Sequence, residues 1–358
     1  MHLRVVPRRV AGWFGAALLV ASVACARSVA AQVVPDPDPG AAGQRLFLEE
    51  RYSEARPLLQ RAAEVDARDW RSRLALGRIA ILANDAKGAE RWLEAAVKIA
   101  PDASEAHRWL AHAYTAEARD AGRFRQLLLA ARIHAHLLRA VALDSANGAA
   151  MLDLVRFDLE APGIAGGSRS RAHHEATTLV ARDAYHGHLA LALVAGKRDD
   201  LGAAERELRA ALDAAPDSVV PYYQLGYLYQ REQRYDDAFR MHEALLARHP
   251  NELGAELEVG RTAAFSGKRL ERASAALERV LRESDGIGDP PPWEAHYWLG
   301  VVRDWQHDFV GAKAEYERAL ALRPDYDEAK RKLEQLVRDH PEVGTGSSAS
   351  LRPPPGAV

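Results

Sequence analysis

Large apolar residues along this chain recur at helical spacing, and the stripes come in pairs closed by a proline. Between Pro221 and Pro250 the order is Leu225-Gly226, Tyr229, Tyr235, Ala238 and then the proline. Thirty-four residues earlier, Leu191 matches Leu225, Ala204 matches Ala238 and Pro216 matches Pro250. The ladder returns as Leu76-Gly77, Ala89, Ala96, Pro101, and as Leu299-Gly300, Phe309, Ala312, Tyr316, Ala319, Pro324. A small residue late in the first helix (Gly77, Gly226, Gly260, Gly300) lets a second helix approach closely, and Ala89, Ala204, Ala238 and Ala312 do the same from the other side. The prolines stop the second helix, because an interior proline removes a hydrogen bond and clashes with the preceding turn. The pattern predicts helix pairs that each expose an apolar face only the next pair can cover.

Less regular pairs fill the gaps and bring the count to about eight. Residues 36–69 carry Leu46, Tyr52, Ala55, Leu59 and Ala62, and residues 253–283 carry Gly260, Ala273 and Leu277. Residues 104–147 fit with about ten extra residues between the helices, and 148–184 are stretched by Ala161-Pro162-Gly163-Ile164-Ala165-Gly166-Gly167-Ser168, where Ser168 is placed to cap the next helix. The helix around Ala329, Leu333 and Leu336 reads as a terminal cap. Residues 284–292, with Gly286, Gly288 and three consecutive prolines, read as a loop, 32–43 as a flexible lead-in and 341–358 as a disordered tail.

These residues closely resemble the tetratricopeptide repeat (TPR) family, whose unit is a 34-residue helix-turn-helix. The resemblance spans most of residues 36–340. It implies an all-α, right-handed superhelical solenoid over 44–340 whose first helices line a concave groove. By that resemblance the groove presents Arg78, Arg108, His112, Tyr223, Tyr227, Gln230, Arg261 and Tyr297. Tyr and Arg dominate binding hot spots, which puts Tyr223, Tyr227 and Tyr297 first; packing between neighbouring helices is the competing reading of all three. The implied function is a non-enzymatic protein–protein interaction scaffold or adaptor. The Lys/Asn set with which some relatives clamp a C-terminal carboxylate is not evident.

Composition agrees with helix: 48% hydrophobic, 27% charged and 7% aromatic residues, with abundant Ala and Arg. The net charge is −2, but Arg4, Arg8, Arg9 and Arg27 all lie in the first 31 residues, leaving 44 basic against 50 acidic groups, about −6, in the rest. A mildly acidic body argues against nucleic acid as a partner. The basic start, the apolar run Ala11 to Ala24 and the small residues Val29-Ala30-Ala31 before Gln32 have the order of a secretory signal peptide over 1–31. The expectation is an exported bacterial protein of the periplasm or beyond, with no stable membrane span after cleavage; the alternative is lipid anchoring through Cys25, the only cysteine.

Three histidine clusters invite a metal test: His134/His136, His173/His174 and His186/His188. Residues two apart on a helix face nearly opposite ways, so the H-x-H pairs do not share a face. No metal, cofactor or catalytic motif is expected. The rival to a scaffold of the bacterial cell envelope is a small-ligand binder or enzyme sited at the inserted segments of 104–184, and self-association is a further option.

Overall fold

A computed structural model describes residues 38–284 and 286–344. Among them are 18 α-helices, a single 3-10 turn and no strand. Sixteen helices form eight pairs: α1 (Pro39–Leu48) with α2 (Tyr52–Val65), α3 (Trp70–Leu82) with α4 (Ala86–Ile99), α5 (Ser104–Ala118) with α6 (Arg123–Leu143), and α7 (Gly148–Glu160) with α8 (Arg169–Val180). They continue with α9 (Ala184–Lys197) and α10 (Leu201–Ala214), α11 (Val219–Arg231) and α12 (Tyr235–Arg248), α13 (Leu253–Ser266) and α14 (Leu270–Glu283), and α15 (Pro292–Trp305) and α16 (Phe309–Leu322). Two single helices follow, α17 (Asp327–Asp339) and α18 (Pro341–Gly344). The chain is a helical-repeat solenoid built of two compact units: residues to Leu228 together with Gly286–Gly288, and the remainder from Tyr229 on.

Local chemistry explains the helix starts. Asp69, Asp85, Asp183, Asp200 and Asp308 each accept a hydrogen bond from a backbone N–H in the first turn that follows, satisfying donors that have no partner within the helix. Six of the eight pairs turn through a non-glycine residue in the left-handed region: Glu50, Asn84, Asp199, Gln233, Arg269 and His307, with φ between 54 and 62°. The two pairs without it are α5/α6 and α7/α8, the ones the sequence marks as stretched. Close approach of the helices is what requires glycine: a methyl added at Gly77 would land in the Leu93 side chain, and one at Gly260 in that of Leu277.

Within each unit the first helices of successive pairs touch one another, as α3 touches α5, α5 touches α7 and α13 touches α15. The second helices instead pack on the first helix of the next pair, as α4 does on α5 and α14 on α15. First helices therefore form the inner layer, where a partner would meet several repeats at once.

Three expectations need correction. The lead-in expected to run flexible to residue 43 is helical from Pro39, because Asp38 accepts from Gly40 and Ala41 and Pro39 is preset for a first turn. The extra residues of 104–147 are not a loop between helices: α6 absorbs them and runs for 21 residues, against 14 in α4. Its added turns, Arg123 to Leu129, contain neither Gly nor Pro. The tail expected to be disordered from Pro341 opens with α18, where Val343 is buried and its carbonyl accepts from Lys313 Nζ at 3.1 Å. The leader, Cys25 and the remainder of the tail lie outside the described residues.

Candidate functional site

The inner layer of the first unit gathers arginine. Arg78 of α3 lies between two rings, 4.6 Å from the centroid of Phe47 and 4.5 Å from that of Trp109. Arg108 of α5 stands 5.2 Å from the same Trp109 ring. Asp153 of α7 accepts Arg108 Nε at 2.7 Å and faces His112 Nε2 at 2.7 Å, while Arg156 Nη1 lies 3.7 Å from its other oxygen. One turn back, Glu105 accepts Asn147 Nδ2 at 2.8 Å, Trp109 Nε1 at 3.0 Å and Arg108 Nη1 at 3.3 Å. Helices α5 and α7 thus share one polar network, and Arg78 of α3 meets it at the Trp109 ring.

The electrostatics follow from that packing. Burial by itself would raise the Asp153 carboxyl, but His112, Arg108 and Arg156 together hold it far below the usual carboxylate range. Burial also opposes ionisation of Glu105, and the Arg108 charge with the Asn147 and Trp109 bonds outweighs it. Arg78 is pulled below the ordinary arginine value, first by burial and then by the neighbouring Arg108 charge, against the pull of Glu105. Arg78 Nε, Arg156 Nε and Arg156 Nη2 are buried and meet no hydrogen-bond acceptor in the protein. Three cations share two anions here, and three guanidinium nitrogens are unspent.

The sequence-predicted site residues separate into distinct places. Arg78, Arg108 and His112 meet in this network. Gln230 and Arg261 meet in the second unit, where Gln230 donates to Thr262 Oγ1 at 2.8 Å and Arg261 pairs with the buried Glu258 at 3.0 Å. Tyr223 is 8% exposed and stacks on the half-buried Tyr227 with centroids 6.3 Å apart. Tyr297 is 6% exposed, wedged against Trp298, Tyr316 and Tyr326. The expectation that Tyr223 and Tyr297 offer exposed rings is corrected: both are buried, and the Tyr297 ring packs against Tyr316 of α16 and Tyr326. Asp153, Glu105, Trp109 and Arg156 were not anticipated. The signal for Asp153 was a lone acid inside the apolar run Met151-Leu152-Asp153-Leu154-Val155.

The histidine clusters come apart. His134 stacks on Phe157 at 4.9 Å, whereas His136 faces His107, with their Nδ1 atoms 2.8 Å apart. Burial, then the neighbouring His107, pushes His136 down to about 4. His186 bonds Asp183 and His188 bonds Glu207. No group of three His, Cys, Asp or Glu is placed to hold a metal among the described residues.

At the insertion, a 3-10 turn (Gly163–Ala165) leads to Ser168, whose Oγ accepts Arg171 N at 3.3 Å. Arg171 forks onto the fully buried Asp158 and also donates to the Gly166 carbonyl at 2.6 Å. Beside them Glu175 is pushed up to about 7, by burial first and then by the Asp158 charge. A folded-state value above the unfolded one means the fold prefers the protonated acid. The penalty is absent below about pH 4.5, grows as pH rises and is complete above about 7. Glu175→Gln is therefore expected to stabilise the protein by on the order of 2 kcal/mol at pH 8 and to be neutral at pH 4.5, read from urea midpoints at both values.

Residues 46–121 and 260–327 each match a tetratricopeptide repeat family. The chain is a tetratricopeptide repeat protein. Human IFIT1 is similar in fold: its dimer with m7Gppp-AAAA superposes at a TM-score of 0.56 with 16% identity, over 84% of this chain and 72% of that one. A tetratricopeptide repeat protein from Parabacteroides merdae aligns over 75% of this chain and 98% of its own at 18% identity, with a TM-score of 0.43. Among curated proteins, a probable biofilm formation methyltransferase of Pseudomonas putida, WspC, is 30% identical over 89 residues, 25% of this chain and 20% of that protein. This tetratricopeptide chain thus spans about a fifth of that relative's length. Such repeats serve protein–protein interaction generally, and the fold is typically non-catalytic.

Proposed function

We propose that this protein is a non-enzymatic scaffold that captures an acidic segment of a partner protein on the inner face of α3, α5 and α7. The observation that carries the reading is the set of buried guanidinium N–H groups of Arg78 and Arg156 without an acceptor, next to a cation excess. A carboxylate entering there replaces lost hydration with charge-assisted hydrogen bonds, which are about twice as strong as neutral ones. Protein rather than nucleic acid is favoured by the acidic body of the chain and by the neutralisation of Arg108 on Asp153 and Glu105. The leader-like residues 1–31 support placement in the bacterial cell envelope, with a mature chain starting at Gln32.

A photo-crosslinking residue at the exposed position 71 of α3, seven residues before Arg78 and so on the same helix face, tests this in intact cells. The expected result is one envelope partner joined through an acidic stretch, with the recovered scaffold beginning at Gln32. Crosslinks spread over unrelated proteins, or a product joined to nucleic acid, would sink the assignment.

A further inference from the structure

Helix α6 has two apolar faces, and the repeat architecture uses one. Leu129, Ile133, Leu137 and Ala140 are buried against the repeats. On the opposite side Phe124, Leu128, Ala131, Ala135, Leu138 and Ala142 are exposed, with Phe124 at 77%, Leu128 at 55% and Leu138 at 45%. Their separations of four, three, four, three and four residues are those of the a and d positions of a heptad repeat, sustained over the whole 21-residue helix. This second seam is why α6 is long and apolar enough to pass for a membrane span by composition, although it packs on α5 and α7 as a repeat helix.

The flank of the seam is also periodic. Arg125, Arg132 and Arg139 follow one another at seven-residue steps, each just after a d-type position, and α6 contains no acidic residue. Arg125 leans on Glu117 and Arg132 lies 3.8 Å from Glu90, yet both side chains stay about 60% exposed, at 63% and 58%. In a two-helix pairing this row meets the flanking row of the partner helix. A second copy of α6 would bring arginine against arginine if antiparallel, and Leu127, His134 and Val141 if parallel, so self-pairing gains no ion pair in either sense. The small residues at the centre, Ala131 and Ala135, suit close approach of a helix and add little to insertion into a lipid surface.

We propose that the outward face of α6 docks an amphipathic helix of about three heptads from another protein, with apolar a and d positions and a Glu- or Asp-bearing flank. This surface is independent of the arginine groove. The test uses the full chain and two labelled synthetic helices of equal length with Leu seams, one with Glu and one with Lys flanks, followed by fluorescence anisotropy. The Glu peptide is expected to bind at least tenfold more tightly than the Lys peptide. Phe124→Glu with Leu128→Glu abolishes binding at unchanged melting temperature, and Arg132→Glu with Arg139→Glu reverses the peptide preference. Arg78→Ala with Arg156→Ala leaves the Glu peptide bound, so failure here and failure of the groove are distinguishable. Equal binding of both peptides, no binding, a dimer in light scattering that Phe124→Glu dissolves, or recruitment of the chain to anionic phosphatidylglycerol vesicles through these residues would each overturn the proposal.

Discussion

Asp153→Ala is expected to lower the stability of the first unit by about 3–5 kcal/mol, the range found when one partner of a buried ion pair is removed. The carboxylate is buried, bonds Arg108 and His112 at 2.7 Å each and lies 3.7 Å from Arg156. Its removal leaves Arg108 with Glu105 as its remaining carboxylate partner and takes from Arg156 the carboxylate it faces. Because the folded-state value is depressed, the wild-type contribution is present above the unfolded carboxyl value near pH 4 and is lost only as pH falls toward the depressed one. The difference between wild type and variant is therefore expected to persist from pH 8 down to 5. Urea midpoints across that range check it, and hydrogen exchange is expected to place the weakening in α5 and α7.

Tyr297→Ala is expected to cost about 3–5 kcal/mol, as for other buried aromatic truncations. Three aromatic neighbours surround this ring, with centroids 4.8 Å away for Trp298, 4.9 Å for Tyr326 and 6.1 Å for Tyr316. The apolar surroundings push its hydroxyl up to about 12, burial being the first cause. Tyr297→Phe keeps the ring and is expected to stay within about 0.5 kcal/mol of wild type. Thermal unfolding of the pair separates packing from recognition: a binding residue would lose partner affinity with little change in stability, whereas this one is expected to lose stability first.

The repeat was legible in the sequence because close helix packing demands particular residues at fixed places. Gly77 against Leu93 and Gly260 against Leu277 leave no room for a side chain, so small residues recur at those registers. The lengthening of 104–147 was legible as well, but its form was not, since extra residues in a loop and extra turns on a helix have the same count. The exposed face of Arg123–Leu143 carries its own heptad stripe, and reading that stripe favours helix over loop.

The site was legible only in part. Arg78, Arg108 and His112 were found because the resemblance to tetratricopeptide repeats implies that first helices line the inner face. Tyr223 and Tyr297 share that implied placement yet are buried, because whether an inner-layer ring faces the groove or the next helix depends on the packing of adjacent repeats. Buried acids were the missing signal: Asp153 in α7 and Glu256 and Glu258 in α13 interrupt apolar stretches, and each gathers arginine, as does the buried Glu315 of α16. A lone carboxylate in an otherwise apolar helix stripe is costly unless paired, so it points to a cation on a neighbouring helix.

On the proposed reading, unspent guanidinium donors of Arg78 in α3 and Arg156 in α7 hold an acidic segment. Calorimetric titration of the full chain with a short extended Asp/Glu-rich peptide tests it most directly, with Arg78→Ala/Arg156→Ala as the comparison. The account predicts that the double variant, still folded by circular dichroism, binds at least tenfold more weakly and that a Lys-rich peptide of equal length does not bind. Equal affinity of the wild type and the double variant would contradict it.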